Sequence, residues 1–312
     1  MSSSQRSGGD QPTRPDCEQV ARLSNGIEIC YDTFGSRSDP ALLLIMGLSG
    51  PMIWWSPEFC QQLADRGFHV IRFDNRDVGR STTLPGKAVR RRHTVGAYIR
   101  GTRGRPPYTL SDMAADAVGL LDHLGISRAH IVGVSMGGMI AQTIVLEHPE
   151  RVRSLVSMMS STGRRAVGWQ DPRLFPLLLR NRGVDRASYV RQSLAVARMI
   201  GSPAYPTARE EAERLAGETF DRGVTRDGVG RQIQAIMAQP DRSRSLRDVT
   251  VPTLVIHGLA DKMVHVSGGR ATAEAIPGAE LMLIPGMGHD LPMAVWPAVL
   301  DRIESTARRA SP

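Results

Sequence analysis

Short apolar runs recur along the chain, and most are followed by a stretch in which apolar residues return every three or four positions. Ala41 to Met46, His69 to Phe73, Ala129 to Val134, Ser154 to Met158, Pro252 to His257 and Glu280 to Ile284 are of the first kind and predict strands. Ala41 to Met46 is continuously apolar, the pattern of a strand buried on both faces of a parallel sheet. Ser56 to Arg66, Leu110 to Leu124, Gly137 to His148, Ala271 to Ile276 and Ala294 to Ala310 are of the second kind and predict helices. The boundaries carry their own signals. Ser56 reads as an N-cap with Pro57 at the first helical position, Gly67 and Gly125 lie just past helix ends, and Pro149 stops the helix before it. Ahead of these, Glu18 to Thr33 breaks at Ser24-Asn25-Gly26, where Asn-Gly supplies the positive φ values of a tight hairpin. Two antiparallel strands therefore open the domain. Strand and helix alternating in this way imply right-handed crossovers and a doubly wound, mostly parallel α/β sheet.

Two stretches interrupt the alternation. Thr162 to Pro240 holds helix-like segments at Asp171 to Arg180, Asp185 to Ile200, Ala208 to Arg222 and Thr225 to Gln239, with no convincing strand. It reads as a helical cap, residues 162–240, inserted into a core made of 17–161 and 241–312 behind a disordered tail at 1–16. Thr82 to Pro107 is a Gly/Pro/Arg-rich connection, and one this long without structure of its own tends to be functional or flexible.

Composition narrows the classes. The chain has 312 residues, 41% of them hydrophobic, enough for a sizeable core and too many for a chain that is mainly disordered. Its formal charge is +8, almost all of it arginine, since Lys87 and Lys262 are the only lysines. A basic field attracts polyanions, but the arginines between Lys87 and Arg105 are interleaved with few aromatics beyond Tyr98 and Tyr108. Arginine-rich codon usage is the plainer reading, and no nucleic-acid partner is expected. Cys17, Cys30 and Cys60 form no C-x-x-C pair and no histidine is spaced for zinc, which points to a reducing, cytoplasmic setting without structural metal. The start of the chain lacks an apolar signal core, and no apolar run approaches the roughly 20 residues of a membrane span.

The chemistry centres on Gly133-Val134-Ser135-Met136-Gly137, a G-x-S-x-G sequence directly after a predicted strand and directly before a predicted helix. That context distinguishes a nucleophile elbow from an ordinary small-residue turn. A Cβ at either flanking position would collide with neighbouring backbone, and the helix N-terminus aims its free N–H groups at the reacting centre. A serine hydroxyl needs a base within hydrogen-bond reach and a third group to orient that base. His69, His93, His123, His130, His148 and His257 fall in strands, helix ends or the basic connection, where structural roles suffice. His289 lies in Pro285-Gly286-Met287-Gly288-His289, just past a predicted strand, and Asp261 ends Gly258-Leu259-Ala260-Asp261 after the preceding one. Asp290 and His265 are the nearest competitors; Asp290 adjoins His289 too closely to orient it well, and His265 is four residues from Asp261. Ser135, Asp261, His289 is the chain order of nucleophile, acid and base that goes with a nucleophile elbow.

An oxyanion also needs donors. The backbone N–H groups of Met136, after the nucleophile, and Leu48, in the loop after the first long strand, are the candidates, with Gly47 allowing close approach. The plain alternative for Met46-Gly47-Leu48 is a simple glycine turn. Trp54, Trp55 and Met158 are candidate pocket residues along with Gly47, with core packing as the alternative, and Asp74 to Ser81 reads as a structural turn beside the site.

Together, Phe73-Asp74-Asn75-Arg76-Asp77-Val78-Gly79-Arg80-Ser81, Gly133 to Gly138, Gly258 to Asp261 and Gly286 to His289 closely resemble the α/β-hydrolase fold serine hydrolases, over about Val20 to Ala307. Leu44-Ile45-Met46-Gly47-Leu48 followed by Trp54-Trp55 is similar to the branch containing aclacinomycin methylesterase, and Met46-Gly47 departs from the His-Gly of many other members. The resemblance implies hydrolysis of a carboxylic ester by acyl-enzyme chemistry, with no cofactor and a small-molecule substrate such as the methyl ester of a polyketide. Thioester, lactone, carbon–carbon, peptide or peracid chemistry, or a ligand receptor built on the same fold, are the alternatives. A serine nucleophile removes the main support for epoxide hydrolase and dehalogenase readings.

Overall fold

The computed structural model describes residues 18–86, 106–174 and 185–310. The tail at 1–16, the arginine-rich stretch from Lys87 to Arg105 and the later part of the helix expected at Asp171 to Arg180 lie outside them. Within the described part of that last segment, Pro172–Leu174 forms a single 3-10 turn.

Eight strands form one sheet in the order β1-β2-β4-β3-β5-β6-β7-β8. They are β1 (Gln19–Arg22), β2 (Glu28–Phe34), β3 (Ala41–Ile45), β4 (His69–Phe73), β5 (Ala129–Val134), β6 (Val152–Met158), β7 (Thr253–Gly258) and β8 (Glu280–Ile284). β1 pairs antiparallel with β2 and β2 with β4, and every later pairing is parallel. The opening hairpin turns at Ser24-Asn25-Gly26 as expected, but Asn25 and Gly26 do not both take positive φ. Gly26 alone takes a positive φ, 82°, and the Asn25 side chain accepts from the Ile27 N–H at 3.1 Å. Leu23 and Ile27 close a three-residue loop because that side-chain bond satisfies the turn without Asn25 itself crossing to the left-handed region.

Both faces of the central strands are covered, which is why their sequences are continuously apolar. Leu43, Ile45, Ile71, Phe73 and Ile131 point to one side, under α2 (Leu110–His123) and α3 (Met136–Glu147). Leu42, Leu44, Val70, Val132 and Ile256 point to the other, under α1 (Pro57–Ala64) and the last helix. Complete burial of each such side chain is worth roughly 1.5–3 kcal/mol. Helix starts follow their caps. Ser56 accepts from Phe59 N–H ahead of Pro57 in α1, and Thr109 and Asp112 form a reciprocal capping box on α2.

Between β6 and β7 the chain runs through α4 (Arg186–Ile200), α5 (Arg209–Arg222) and α6 (Arg226–Ala238), close to the expected bounds. After β7 comes α7 (Ser267–Ala275), four residues earlier at its start than the apolar pattern implied, because Gly268 and Gly269 pack closely enough on Ser160 and His257 to stay buried and helical. The closing helix α8 (Trp296–Arg308) starts behind a 3-10 turn at Met293–Val295. The carboxyl ends of β3, β5, β7 and β8 share one edge: Ile45 sits beside Gly133 and Gly258 beside Ile284. Loops leaving that edge meet, as ligand-binding loops of open α/β sheets do.

Candidate active site

Ser135 stands between β5 and α3 with φ 57° and ψ −119°, a strained conformation for a residue with a side chain. Glycine on either side makes the turn possible. A Cβ on Gly133 would lie 2.1 Å from the Gly137 carbonyl oxygen, and one on Gly137 would lie 2.1 Å from that of Ile45. Ser135 N–H donates to the Met158 carbonyl at 2.8 Å, and the Ser135 carbonyl accepts from Ser160 Oγ at 2.8 Å, so the turn is fastened to the end of β6 and to the loop just after it.

The structure brings the three residues singled out as nucleophile, base and acid into one chain of contacts. His289 Nε2 is 3.0 Å from Ser135 Oγ, and His289 Nδ1 is 2.7 Å from Asp261 Oδ2. The Asp261 carboxylate is fully buried and the His289 ring is 10% exposed. Oδ1 of Asp261 accepts from the N–H groups of Met263 and Val264, which fixes the carboxylate plane. Burial works to raise the Asp261 pKa. The His289 charge and hydrogen bonds from His257 and His289 outweigh it and hold the group well below the ordinary carboxylate range. A permanent carboxylate behind Nδ1 leaves Nε2 free to take the serine proton.

Asp290 turns elsewhere and accepts from Ser202 Oγ, while His265 stacks on Trp169 with ring centroids 4.2 Å apart. His257, read as a structural strand histidine, has a further part: its Nε2 lies 2.8 Å from the Val264 carbonyl and 3.4 Å from Asp261 Oδ2. It lies against the acid from within the core. The histidine loop is also held by the end of α4 and the residues after it. His289 N–H donates to the Ile200 carbonyl at 2.7 Å, and Gly288 N–H donates to Ser202 Oγ at 2.9 Å.

The loop after β3 lies against the nucleophile: a Cβ on Gly47 would come within 3.1 Å of Ser135 Cβ and 3.2 Å of the Val134 carbonyl oxygen. Met136 opens α3, where the first N–H groups lack partners within the helix. Among the described residues, no hydrogen bond occupies the Leu48 or the Met136 N–H. Both N–H groups sit in the loop and helix that flank Ser135.

The candidate pocket residues separate. Trp54 is 44% exposed, and its Nε1 donates to Thr219 of α5 at 2.9 Å. Trp55 belongs to the core instead: its ring stacks on Phe59 at 5.6 Å, and its carbonyl accepts from the buried Arg72. Met158 is likewise buried in the cluster under α1 and α8. Apolar side chains facing the sheet and facing a pocket look alike in a sequence, and here sheet packing claims both. The glutamates of α5 also have a plain role. Glu213 pairs with Arg209 and Glu218 with Arg214 on their own helix, in exposed i,i+4 ion pairs.

The Asp74–Ser81 turn is more than a local element. Asp74 and Asp77 are buried, and Arg222 of α5 donates to Asp74 Oδ2 at 2.9 Å while Arg231 of α6 binds Asp77 through two nitrogens at 2.7 and 2.8 Å. Tyr108 adds a third donor to Asp77 at 2.8 Å. Arg222 and Arg231 come from amphipathic helices, and each follows an acid by four residues, Glu218 and Asp227, so a local partner was on offer and no sequence signal pointed to the distant one.

A strained serine on a G-x-S-x-G elbow, facing a histidine and a buried aspartate at the carboxyl edge of a mostly parallel sheet, defines a hydrolase of the α/β class. The family comparison agrees: residues 40–293 match the model described as alpha/beta hydrolase fold, and the chain belongs to that family. Among its relatives, rhodomycin D methylesterase DauP of Streptomyces sp. (strain C5) is 29% identical over 94% of this chain and 97% of that enzyme. Rhodomycin D methylesterase DnrP of Streptomyces peucetius is 28% identical over 91% of this chain and 96% of its own. The crystal structure of the enol-lactonase from Burkholderia xenovorans LB400 superimposes with a TM-score of 0.71 at 23% identity, covering 93% of this chain and all of that one, a likeness of fold. No described helix is long and apolar enough to cross a membrane.

Proposed function

We propose that the protein hydrolyses a carboxylic ester through an acyl-enzyme formed on Ser135. One observation carries the reading: the unbroken contact from Ser135 Oγ through the His289 ring to the buried Asp261 carboxylate, at 3.0 and 2.7 Å. His289 Nε2 takes the Ser135 proton as Oγ attacks the ester carbonyl, and the backbone N–H groups of Leu48 and Met136 hold the resulting oxyanion. His289 then gives that proton to the departing alcohol oxygen as the C–O bond breaks. Water, losing a proton to the same nitrogen, attacks the acyl-serine, and collapse of the second tetrahedral intermediate returns the proton to Oγ and releases the acid.

The substrate reading is a methyl ester of a small apolar, polyketide-like acid. Its support is the likeness to two methylesterases over more than nine-tenths of the chain. In this reading residues 162–240 form a cap over a core of 17–161 and 241–312, and Gly47 and Trp54 border the pocket between them. The partner is the small-molecule substrate, with neither nucleic acid nor membrane needed. A cytoplasmic location fits Cys30 and Cys60, which are buried and unpaired.

The test is a fluorophosphonate probe on wild type and Ser135→Ala, followed by a panel of methyl, ethyl and p-nitrophenyl esters. Wild type is expected to label and turn over, and Ser135→Ala to do neither. Equal labelling of both proteins would remove Ser135 as nucleophile, and single-turnover cleavage by wild type would point to a ligand receptor.

A further inference from the structure

Three side chains hold the loop that carries the Leu48 N–H. Asn75 Nδ2 donates to the Met46 carbonyl at 2.9 Å, and Asp74 Oδ1 accepts from Met52 N–H at 2.7 Å. The third is Gln232, at the middle of α6 and fully buried. Its Oε1 accepts from Ser49 N–H at 2.9 Å, and its Nε2 donates to the Arg76 carbonyl at 2.9 Å. The amide has one orientation that satisfies both, because a backbone N–H needs the oxygen and a backbone carbonyl needs the nitrogen. Asn75 and Asp74 belong to the turn next door. Gln232 reaches in from 183 residues along the chain.

Ser49 is where such a tie matters. Gly50 N–H donates to the Gly47 carbonyl at 3.2 Å, closing a four-residue turn with Leu48 and Ser49 at its centre. Ser49 takes φ 57°, while Leu48 does not share the positive region. That is the type II pattern, which favours glycine at the third position. A residue with a Cβ stays there only when its surroundings fix the peptide plane. Rotation of the Leu48–Ser49 peptide would relieve Ser49, but it would turn a carbonyl toward Gln232 Oε1 and break the bond. The same turn begins at Gly47, in contact with Ser135.

We propose that Gln232 is a positioning residue for the oxyanion loop: α6 sets the Leu48 N–H through the Gln232–Ser49 hydrogen bond, so the seating of this helix over the substrate and the readiness of the oxyanion site are one event. The inference rests on the assignment of Leu48 as an oxyanion donor in the esterase reading above. Gln232 touches no reacting atom, and its effect passes through the turn.

The experiment measures kcat per fluorophosphonate-titrated site, KM for a p-nitrophenyl ester, and inhibition by a trifluoromethyl ketone, which forms an oxyanion on the serine. Wild type, Gln232→Leu, Ser49→Gly and the double variant are compared. An oxyanion donor is worth on the order of 10² to 10³ in rate, and misplacing one should forfeit part of that. Gln232→Leu is expected to lower kcat by about 10- to 100-fold with KM within about twofold, and to weaken the ketone in parallel. Adding Ser49→Gly, which removes the steric cost of positive φ, should restore at least half of the logarithmic loss. A purely structural glutamine would lower the melting temperature or the number of titratable sites, leave kcat per site unchanged and gain nothing from Ser49→Gly; either of those last two results overturns the proposal. If Gln232→Leu does not fold, Gln232→Met with and without Ser49→Gly takes its place, since methionine keeps the length of the side chain but has no oxygen to accept from Ser49. Retained turnover in Ser135→Ala defeats the esterase reading itself, whereas an inactive Ser135→Ala beside a wild-type kcat in Gln232→Leu defeats only the role of Gln232.

Discussion

The nucleophile elbow and the Asp74–Ser81 turn flank the same loop, yet they are built by opposite means. The elbow is held by exclusion: Gly133 and Gly137 admit backbone so close that no side chain fits, and no charge takes part. The turn is held by attraction. It buries the carboxylates of Asp74 and Asp77 and satisfies them with Arg222 and Arg231, 148 and 154 residues away. The first device works by close approach of backbone, from within the turn and from the adjoining ends of β3 and β6. The second depends on a distant segment being in place, and so registers whether the helices between β6 and β7 are seated. The serine sits on the first, and the contacts with α5 and α6 sit on the second.

If that division holds, changes on the two sides should separate cleanly. The largest effect belongs to the catalytic side. Asp261→Asn should leave the melting temperature near that of wild type but lower kcat roughly 10⁴-fold, because an amide behind Nδ1 favours the tautomer in which Nε2 carries the proton. An unchanged rate would assign the acid elsewhere. Next comes Arg231→Met, on the coupling side. Removing one partner of a fully buried ion pair strands the other, and unfolding free energy should fall by about 3–5 kcal/mol in urea titration, with phosphonylation of the remaining folded protein still detectable. A loss under about 1 kcal/mol would mean that water reaches Asp77, as at exposed pairs.

A smaller effect concerns acid. Burial works to raise the Asp77 pKa, but the Arg231 and Tyr108 hydrogen bonds overcome it and hold the carboxyl below its ordinary value of 3.8. A depressed folded-state pKa stabilises fully above the unfolded value, near 4, and that contribution fades as pH falls toward the folded one. The urea midpoint of wild type should therefore drop between pH 5 and pH 3, and Asp77→Asn, though less stable throughout, should drop less. Parallel slopes would show that Asp77 carries none of the acid sensitivity.

The same contrast explains what could be read from the chain. All the strands and the elbow were legible because apolar periodicity and glycine spacing are local signals with one physical cause each. Ser135, Asp261 and His289 were found by their places after strands, and the structure puts them within hydrogen-bond reach of one another. Gln232, Ser202 and His257 were not found. Each acts across a contact that exists only after folding, and a glutamine in an amphipathic helix looks the same whether it faces water or a backbone turn. Trp55 was drawn toward the pocket by its place just after the oxyanion loop and Met158 by its residue type, since the sheet face that claims them is invisible in sequence. Arg222 and Arg231 were not singled out in the sequence either, since nothing local marks an arginine that the fold will bury.

In the proposed reaction Ser135 Oγ is the atom that becomes acylated. The most direct test of this is an acid-quenched pulse of p-nitrophenyl acetate followed by peptide mapping in the mass spectrometer. One acetyl group is expected on the peptide bearing Ser135, appearing at the rate of the burst, slowed in Asp261→Asn and absent in Ser135→Ala. An acetyl group on any other residue at burst speed, or undiminished turnover by Ser135→Ala, would contradict it.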